Sequence, residues 1–312
     1  MAQIVATAGI DVSKNQLDIF LWPMDTALSV ENTVQGLETL MAWLTGHGVR
    51  RVGLEASGGY EAAVVEALLD GGFEVARFNA RRIRQFAGAI GQLAKNDSAD
   101  ARVIAQATAQ LPVRLAVRAS PVRAALAELL GWRRQVCDWI VDCANQLEHM
   151  KDKALLRQVT RRRTGLIQER TRIDLLIGGT IRAAGDLRVL DARLRTVPGV
   201  GPVLAATLLA LAPELGALTR RQIASLIGVA PFDRDSGRSR GRRHIQGGRA
   251  AIRHVLYMAA VTARRHNPDI KRFADRMTGK FPKVVIVACM RKLLTVVNAI
   301  ARDSTEWKAI SA

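Results

Sequence analysis

The sequence predicts an α/β domain followed by a mainly α-helical chain, and three observations lead to that fold class. Through the first 110 residues, short apolar runs bounded by Gly, Asn and Asp alternate with leucines at helical spacing. Near residue 126 an apolar seam with a seven-residue repeat begins. After residue 200 the apolar stretches 203–211, 252–265 and 284–301 all read as helices.

In the first third, Ile4 to Ile10 is an apolar run ending at Asp11, Leu17 to Trp22 is a second strand and Ala27 to Thr33 a third. Leu37, Leu40, Met41 and Leu44 fall on one helical face. Arg51 to Glu55 is a short strand, followed by the small-residue loop Ala56-Ser57-Gly58-Gly59. Tyr60 to Leu69 is a helix closed by Gly71-Gly72, Phe73 to Phe78 the next strand, and helices follow from about Ala80 to Gln110. The order β-β-β-α-β-α-β-α is that of a ribonuclease H-like domain, and by order alone an ordinary doubly wound domain fits equally well.

Pro112 breaks the chain, and Ser120-Pro121 pairs an N-cap residue with proline at the first helical position. Positions 126, 133, 140, 147 and 154 read Leu, Arg, Ile, Leu and Ala, and positions 129, 136, 143 and 150 read Leu, Val, Cys and Met. This heptad seam has one polar interruption at Arg133. A second helical pattern follows Arg161-Arg162-Arg163 through Leu166, Ile173, Ile177 and Ile181, so two antiparallel helices or a coiled coil between protomers would fit. Val197-Pro198-Gly199-Val200-Gly201-Pro202 then enters an apolar helix. Such a turn is either a helix-hairpin-helix element, whose backbone N–H groups hold a phosphate, or a tight turn between packed helices. Residues 230–253 form a loop dense in Arg and Gly. The expected divisions are 1–118, 119–190 and 191–312.

Charge narrows the partners. The 312 residues carry 46 Lys+Arg and 28 Asp+Glu, a net +18 with pI about 11.1. Residues 1–100 hold 8 basic and 12 acidic side chains, residues 101–200 hold 18 and 9, and the remainder 20 and 7. A polyanion is the expected partner of everything beyond the acidic first third. Arg outnumbers Lys 37 to 9, and its planar fork suits phosphate. A hydrophobic fraction of 49% excludes a disordered basic tail. No apolar run reaches the ~18 residues that cross a bilayer, and no basic segment precedes the first apolar stretch, so neither a membrane span nor a secretory signal is expected. Cys137, Cys143 and Cys289 are too few and scattered for a disulfide framework, which makes the cytoplasm the expected compartment.

Four acids stand out by position. Asp11 ends the first strand and Glu55 the fourth, while Asp97 and Asp100 stand three apart at a helix start and share a face. Taken singly, a strand-end Asp is commonly a turn former and Asp-x-x-Asp a capping pair. Together they could form one anionic pocket. Like charges so crowded repel unless hard divalent cations sit among them. Two such ions can activate an attacking oxygen and steady a leaving one in phosphoryl transfer.

The runs Gly9-Ile10-Asp11-Val12-Ser13-Lys14, Glu55-Ala56-Ser57-Gly58-Gly59-Tyr60-Glu61 and Ala94-Lys95-Asn96-Asp97-Ser98-Ala99-Asp100-Ala101 resemble the three motifs of the DEDD transposases. These are insertion-sequence recombinases with a RuvC-like nuclease domain, related to the Piv DNA invertases. The C-terminal half resembles the same family through residues 197–202, Gly228-Val229-Ala230-Pro231, Asp235-Ser236-Gly237, Gly241, Ile245, Gly248, Arg253 and the segment Lys283 to Asn298. Ser57 stands where Thr is common, and Gln246-Gly247 replaces a Lys-Arg type pair.

The resemblance implies that Asp11, Glu55, Asp97 and Asp100 bind Mg²⁺ or Mn²⁺, and that Ser236 is a nucleophile. Ser236 has Arg234, Arg238, Arg240, Arg242 and Arg243 near it in sequence, which suits a phosphate. Read from the residues alone, the alternative is a loop serine in a phosphate-binding strip, with Ser239 the local competitor. The resemblance further implies donor and target DNA, a structured non-coding guide RNA, and a homo-oligomer, dimer or tetramer. Lys14, Arg161, Arg162, Arg163, Gly199, Gly201, Arg249 and Arg253 are the remaining candidate nucleic-acid contacts. A junction-resolvase-like endonuclease and a non-catalytic binding remnant are the alternatives.

Overall fold

The structure, a computed structural model, describes residues 6–92, 97–113, 115–118, 120–233, 241 and 243–309, and at 97–99 the helix without the side chains. The chain divides into two compact units, Met1–Arg118 and Ala119–Ala312.

The first unit runs β1 (Thr7–Val12), β2 (Gln16–Trp22), β3 (Thr26–Glu31), α1 (Val34–Gly46), β4 (Arg51–Glu55), α2 (Ala62–Asp70), β5 (Glu74–Phe78), α3 (Ala80–Ala89) and α4 (Asp97–Gln110). The sheet order is β3-β2-β1-β4-β5. β1, β2 and β3 pair antiparallel, whereas β4 and β5 run parallel to β1. An antiparallel meander continued by parallel crossovers is the ribonuclease H-like arrangement, so the doubly wound alternative falls. β1 reaches Val12, which places Asp11 inside the strand and not at its last residue.

Period-two alternation sorts the strand residues between two faces. Ala8, Ile10, Val12, Val52 and Leu54 are buried in one core with Leu40 and Leu44 of α1 and Val64 and Leu68 of α2. The opposite face carries Thr7, Gly9 and Asp11 on β1 and Gly53 and Glu55 on β4, and α4 lies against it.

The second unit runs α5 (Pro121–His149), α6 (Lys153–Ala183), α7 (Gly185–Arg195), α8 (Pro202–Leu211), α9 (Arg220–Ile227), β6 (Pro231–Phe232), β7 (His244–Ile245), α10 (Ala250–His266), α11 (Pro268–Asp275) and α12 (Pro282–Asp303). α5 and α6 form an antiparallel pair within the chain. Trp132 Nε1 donates to Glu169 at 2.9 Å and Arg133 Nε to Asp174 at 2.6 Å, pairs almost equally far from the intervening turn. The polar interruption of the seam is thus an ion pair between the two helices. Leu126, Val136, Ile140 and Cys143 are buried on α5, and Leu166, Ile173, Ile177 and Ile181 on α6. The seven-residue repeat does not carry to Ala154. Asp152 caps a new helix there, accepting from the amides of Ala154 and Leu155 at 2.9 Å each.

One continuous core extends from Leu126 to Ile300, so the helical pair and the C-terminal helices fold as one unit. α12 is long and apolar enough by composition to cross a bilayer, contrary to the expectation from apolar runs. Its stripe from Val285 to Ile300 is buried in that core, and Asn298 bonds Gly216 N and Leu218 O. Replacing Ile140 by Asp places an unpaired charge in the seam. The expected loss is about 3 kcal/mol, read as a lower melting temperature of the full chain, and unchanged melting would show Ile140 to be dispensable.

Candidate active site

The site is built on two glycines. Gly9 of β1 and Gly53 of β4 are register partners on adjacent parallel strands. A Cβ on Gly9 would overlap Ala101 O and Ala105 N and stand 2.9 Å from Ala105 Cα. One on Gly53 would overlap Thr108 Oγ1 and stand 3.0 Å from the Phe78 ring. Only the bare backbone lets α4 lie so close to the sheet.

The contacts also give the helix a direction. Thr7 Oγ1 donates to Ala105 O at 3.1 Å, and Gly9 lies under Ala101 and Ala105. Two residues of strand advance about 6.7 Å and four residues of helix about 6 Å. The next step along both elements is Asp11 on β1 and position 97 in the first turn of α4. Asp11 follows Ile10, whose partner on β4 is Leu54, so the next pair in register is Asp11 and Glu55. Adjacent strands lie about 4.8 Å apart, so these two carboxylates are neighbours on the α4 face. The structure therefore brings Asp11, Glu55 and the α4 start bearing Asp97 and Asp100 to one edge of the sheet.

Asp11, Glu55 and Asp100 are half-buried, and the Asp97 side chain lies outside the described residues. Among the described residues no three His, Cys, Asp or Glu side chains are grouped closely enough to hold an ion. The donor chemistry nevertheless fits a hard divalent cation, because every candidate group at this edge is a carboxylate. Two acids escaped the sequence reading. Asp18 is the antiparallel partner of Asp11, and Gln16 Nε2 donates to it at 2.8 Å. Glu61 is buried behind the loop that follows Glu55. Period-two counting across the β1–β2 turn could have found Asp18, whereas Glu61 lies within the second motif run but no local pattern there shows its partner Arg77.

The basic candidates divide by environment. Lys14 is exposed in the β1–β2 turn, and Arg161 and Arg162 are exposed on α6. Arg163 is partly buried and its Nε has no partner. Arg249 reaches both Glu214 oxygens, at 2.6 and 2.7 Å, and also Leu211 O. Arg253 donates to Gly247 O and Ile227 O. Arg249 thus ties the start of α10 to the end of α8 and the α8–α9 connection, and Arg253 ties α10 to the end of α9. Arg243 pairs with Asp233 at 2.5 Å, next to the β6–β7 pairing, where it closes the base of the loop carrying Ser236. Ser236, Ser239, Arg234, Arg238, Arg240 and Arg242 lie outside the described residues.

Gly199 packs on α10, where an added Cβ would stand 2.5 Å from Ala263 Cβ, while Gly201 is exposed at the start of α8. Both line a mainly apolar groove of about 740 Å³ between α5, α8 and α10. Arg133, Arg134 and His254 also line it. The acids are not part of that groove; their site is an open sheet edge.

Residues 8–155 match the family model of DEDD-type IS110 transposases, and residues 191–275 match that of the transposase IS116/IS110/IS902 family. The chain belongs to the IS116/IS110/IS902 transposases. Members of this family are DNA-recombining enzymes, and this chain is one of them. The pilin gene-inverting protein of Moraxella bovis is 27% identical over 322 residues, covering 95% of each chain. The insertion element IS116 protein of Streptomyces clavuligerus is 28% identical over 194 residues, 58% of this chain and 49% of its own. Among solved structures, T. thermophilus RuvC in complex with Holliday junction substrate shares 15% identity over 36% of this chain and 99% of its own, with a TM-score of 0.28.

Proposed function

We propose that this transposase cuts and rejoins DNA with two sets of groups, the carboxylates Asp11, Glu55, Asp97 and Asp100 and the hydroxyl of Ser236. The observation that carries the reading is the seating of α4 on Gly9 and Gly53, which supports a common sheet edge for Asp11, Glu55 and the first turn of α4. Those acids would hold Mg²⁺ or Mn²⁺. When bound, such an ion supplies charge neutralisation at the phosphate and a lowered pKa for a coordinated oxygen.

The remaining chemistry falls to the chain. Ser236 Oγ attacks phosphorus, so that an Oγ–P ester forms as one P–O ester of the strand breaks. The serine gives up its proton and the departing deoxyribose oxygen takes one up. One ester replaces another, so rejoining by the reverse route needs no external energy source. Arg234, Arg238, Arg240 and Arg242 would neutralise the charge that grows on the phosphorane oxygens. Gly201, Arg161 and Arg162 are proposed to follow the DNA backbone.

We also infer a structured non-coding RNA partner and a homo-oligomer. The net +22 beyond residue 100 supports the binding of more than one nucleic-acid segment.

The test is a trapping reaction. Suicide DNA in Mg²⁺ should leave a nucleotide on the peptide containing Ser236 by mass spectrometry, and Ser236→Ala should abolish both adduct and cleavage, with Ser239→Ala milder. Efficient cleavage to free 5′-phosphate and 3′-hydroxyl ends with no adduct would favour a water-attacking nuclease instead.

A further inference from the structure

We propose that Glu61 is a positioning residue, holding the turn after β4 so that the Glu55 carboxylate faces a divalent ion; this rests on the reading of Glu55 as a metal ligand. β4 ends at Glu55, and one further ladder bond, from Ala56 N to Phe78 O at 3.2 Å, carries the pairing to its last residue. The chain then turns through Gly58 and Gly59, with φ of 77° and 118°. Two glycines in succession give this turn little stiffness of its own.

Glu61 supplies the stiffness. Its Oε2 accepts from Ser57 N at 3.2 Å, Ser57 Oγ at 3.0 Å and Gly59 N at 2.8 Å. Its Oε1 accepts from Arg77 at 2.7 Å. Arg77 lies on β5, opposite Leu54 of β4. The carboxylate therefore ties both halves of the turn to the strand beside the one that carries Glu55. The Glu61 side chain is 5% exposed, a setting in which an ionised group persists only with such donors. Burial pushes its pKa up, but the amide and hydroxyl donors outweigh it and hold the carboxyl below its ordinary value. The anchor is therefore ionised, and fully formed, at neutral pH.

A residue that merely filled space here would need no charge. Three of the four accepted bonds hold the turn adjoining Glu55 and the fourth fastens it to β5, as expected of an outer group that aims a metal ligand.

The experiment uses the full chain and Mn²⁺ alone, titrated by electron paramagnetic resonance of the free ion, with melting temperature recorded for each variant. Glu61→Gln should keep the fold but weaken Mn²⁺ binding by about tenfold, the low end of the range for outer-group replacements. It should also speed hydrogen exchange at the amides of Ser57 and Gly59. Arg77→Gln, which alters the more exposed partner, should weaken binding in the same direction and serves if Glu61→Gln does not fold. If Glu55→Ala weakens Mn²⁺ binding while the folded Glu61 or Arg77 variant does not, Glu61 has no positioning role and the reading of Glu55 stands. If Glu55→Ala itself leaves binding unchanged, Glu55 is not a ligand and the proposal falls with it.

Discussion

Asp11→Asn should lower DNA strand cleavage by about a thousandfold or more, an increase of about 4 kcal/mol in the barrier at 1.36 kcal/mol per decade. Asparagine has the shape of aspartate and keeps the strand, but it carries no charge and binds hard cations poorly. Asp11 faces Asp18 across β1–β2 and stands beside Glu55 in the register with β4, so the substitution removes one charge from a row of three. Relief of that repulsion should leave the melting temperature equal or slightly higher, and DNA affinity close to unchanged. Cleavage of plasmid DNA in Mg²⁺, measured alongside thermal melting, checks both halves. Undiminished cleavage would remove Asp11 from the reaction.

Gly9→Ala should disable the enzyme without touching a carboxylate. The new methyl would meet backbone atoms of Ala101 and Ala105, which cannot rotate aside. α4 must lift from the sheet, at about 3 kcal/mol, the upper end for overpacking. Its first turn then leaves the edge where Asp11 and Glu55 sit, so cleavage should fall together with stability. Gly46→Ala is the control, because a Cβ there meets nothing within 4 Å. Retained cleavage and melting in Gly9→Ala would show that the contact of α4 with β1 is not needed.

Local patterns in the chain were sufficient for much of this architecture. Arg51–Glu55 is a strand over the range its β-branched and apolar pattern marks, and the α5 seam is buried at Leu126, Val136, Ile140 and Cys143 as heptad spacing requires. Short elements were less legible. α9 begins with Thr219 and Gln222 in a capping box and stops at Gly228, while α11 begins with Asn267 as cap and Pro268 after it. Both signals are in the sequence, but eight-residue helices leave too little periodicity to stand out from the loops around them.

For the site, the four acids could be named from motifs but their convergence could not be derived from spacing. It depends on α4 crossing a strand some 90 positions earlier in the chain, and nothing local at Gly9 shows what will lie on it. Glu61 was passed over for the same reason, since its partner Arg77 comes from the next strand.

The bond from Thr7 to Ala105 spans 98 residues, whereas α5 and α6 meet across a three-residue turn. Closing long loops before any contact rewards them is slow, so the first unit should be the slower-folding part and the helical pair the quick one. A ribosome that stops before residue 97 releases a sheet lacking its lid, with Phe20, Trp22 and Phe78 laid bare and half of the acids missing. Such a fragment is material for proteases and not a stray nuclease. For a DNA-recombining enzyme, premature termination is therefore a harmless error, because the proposed carboxylate edge is incomplete until the last helix of the first unit has been made.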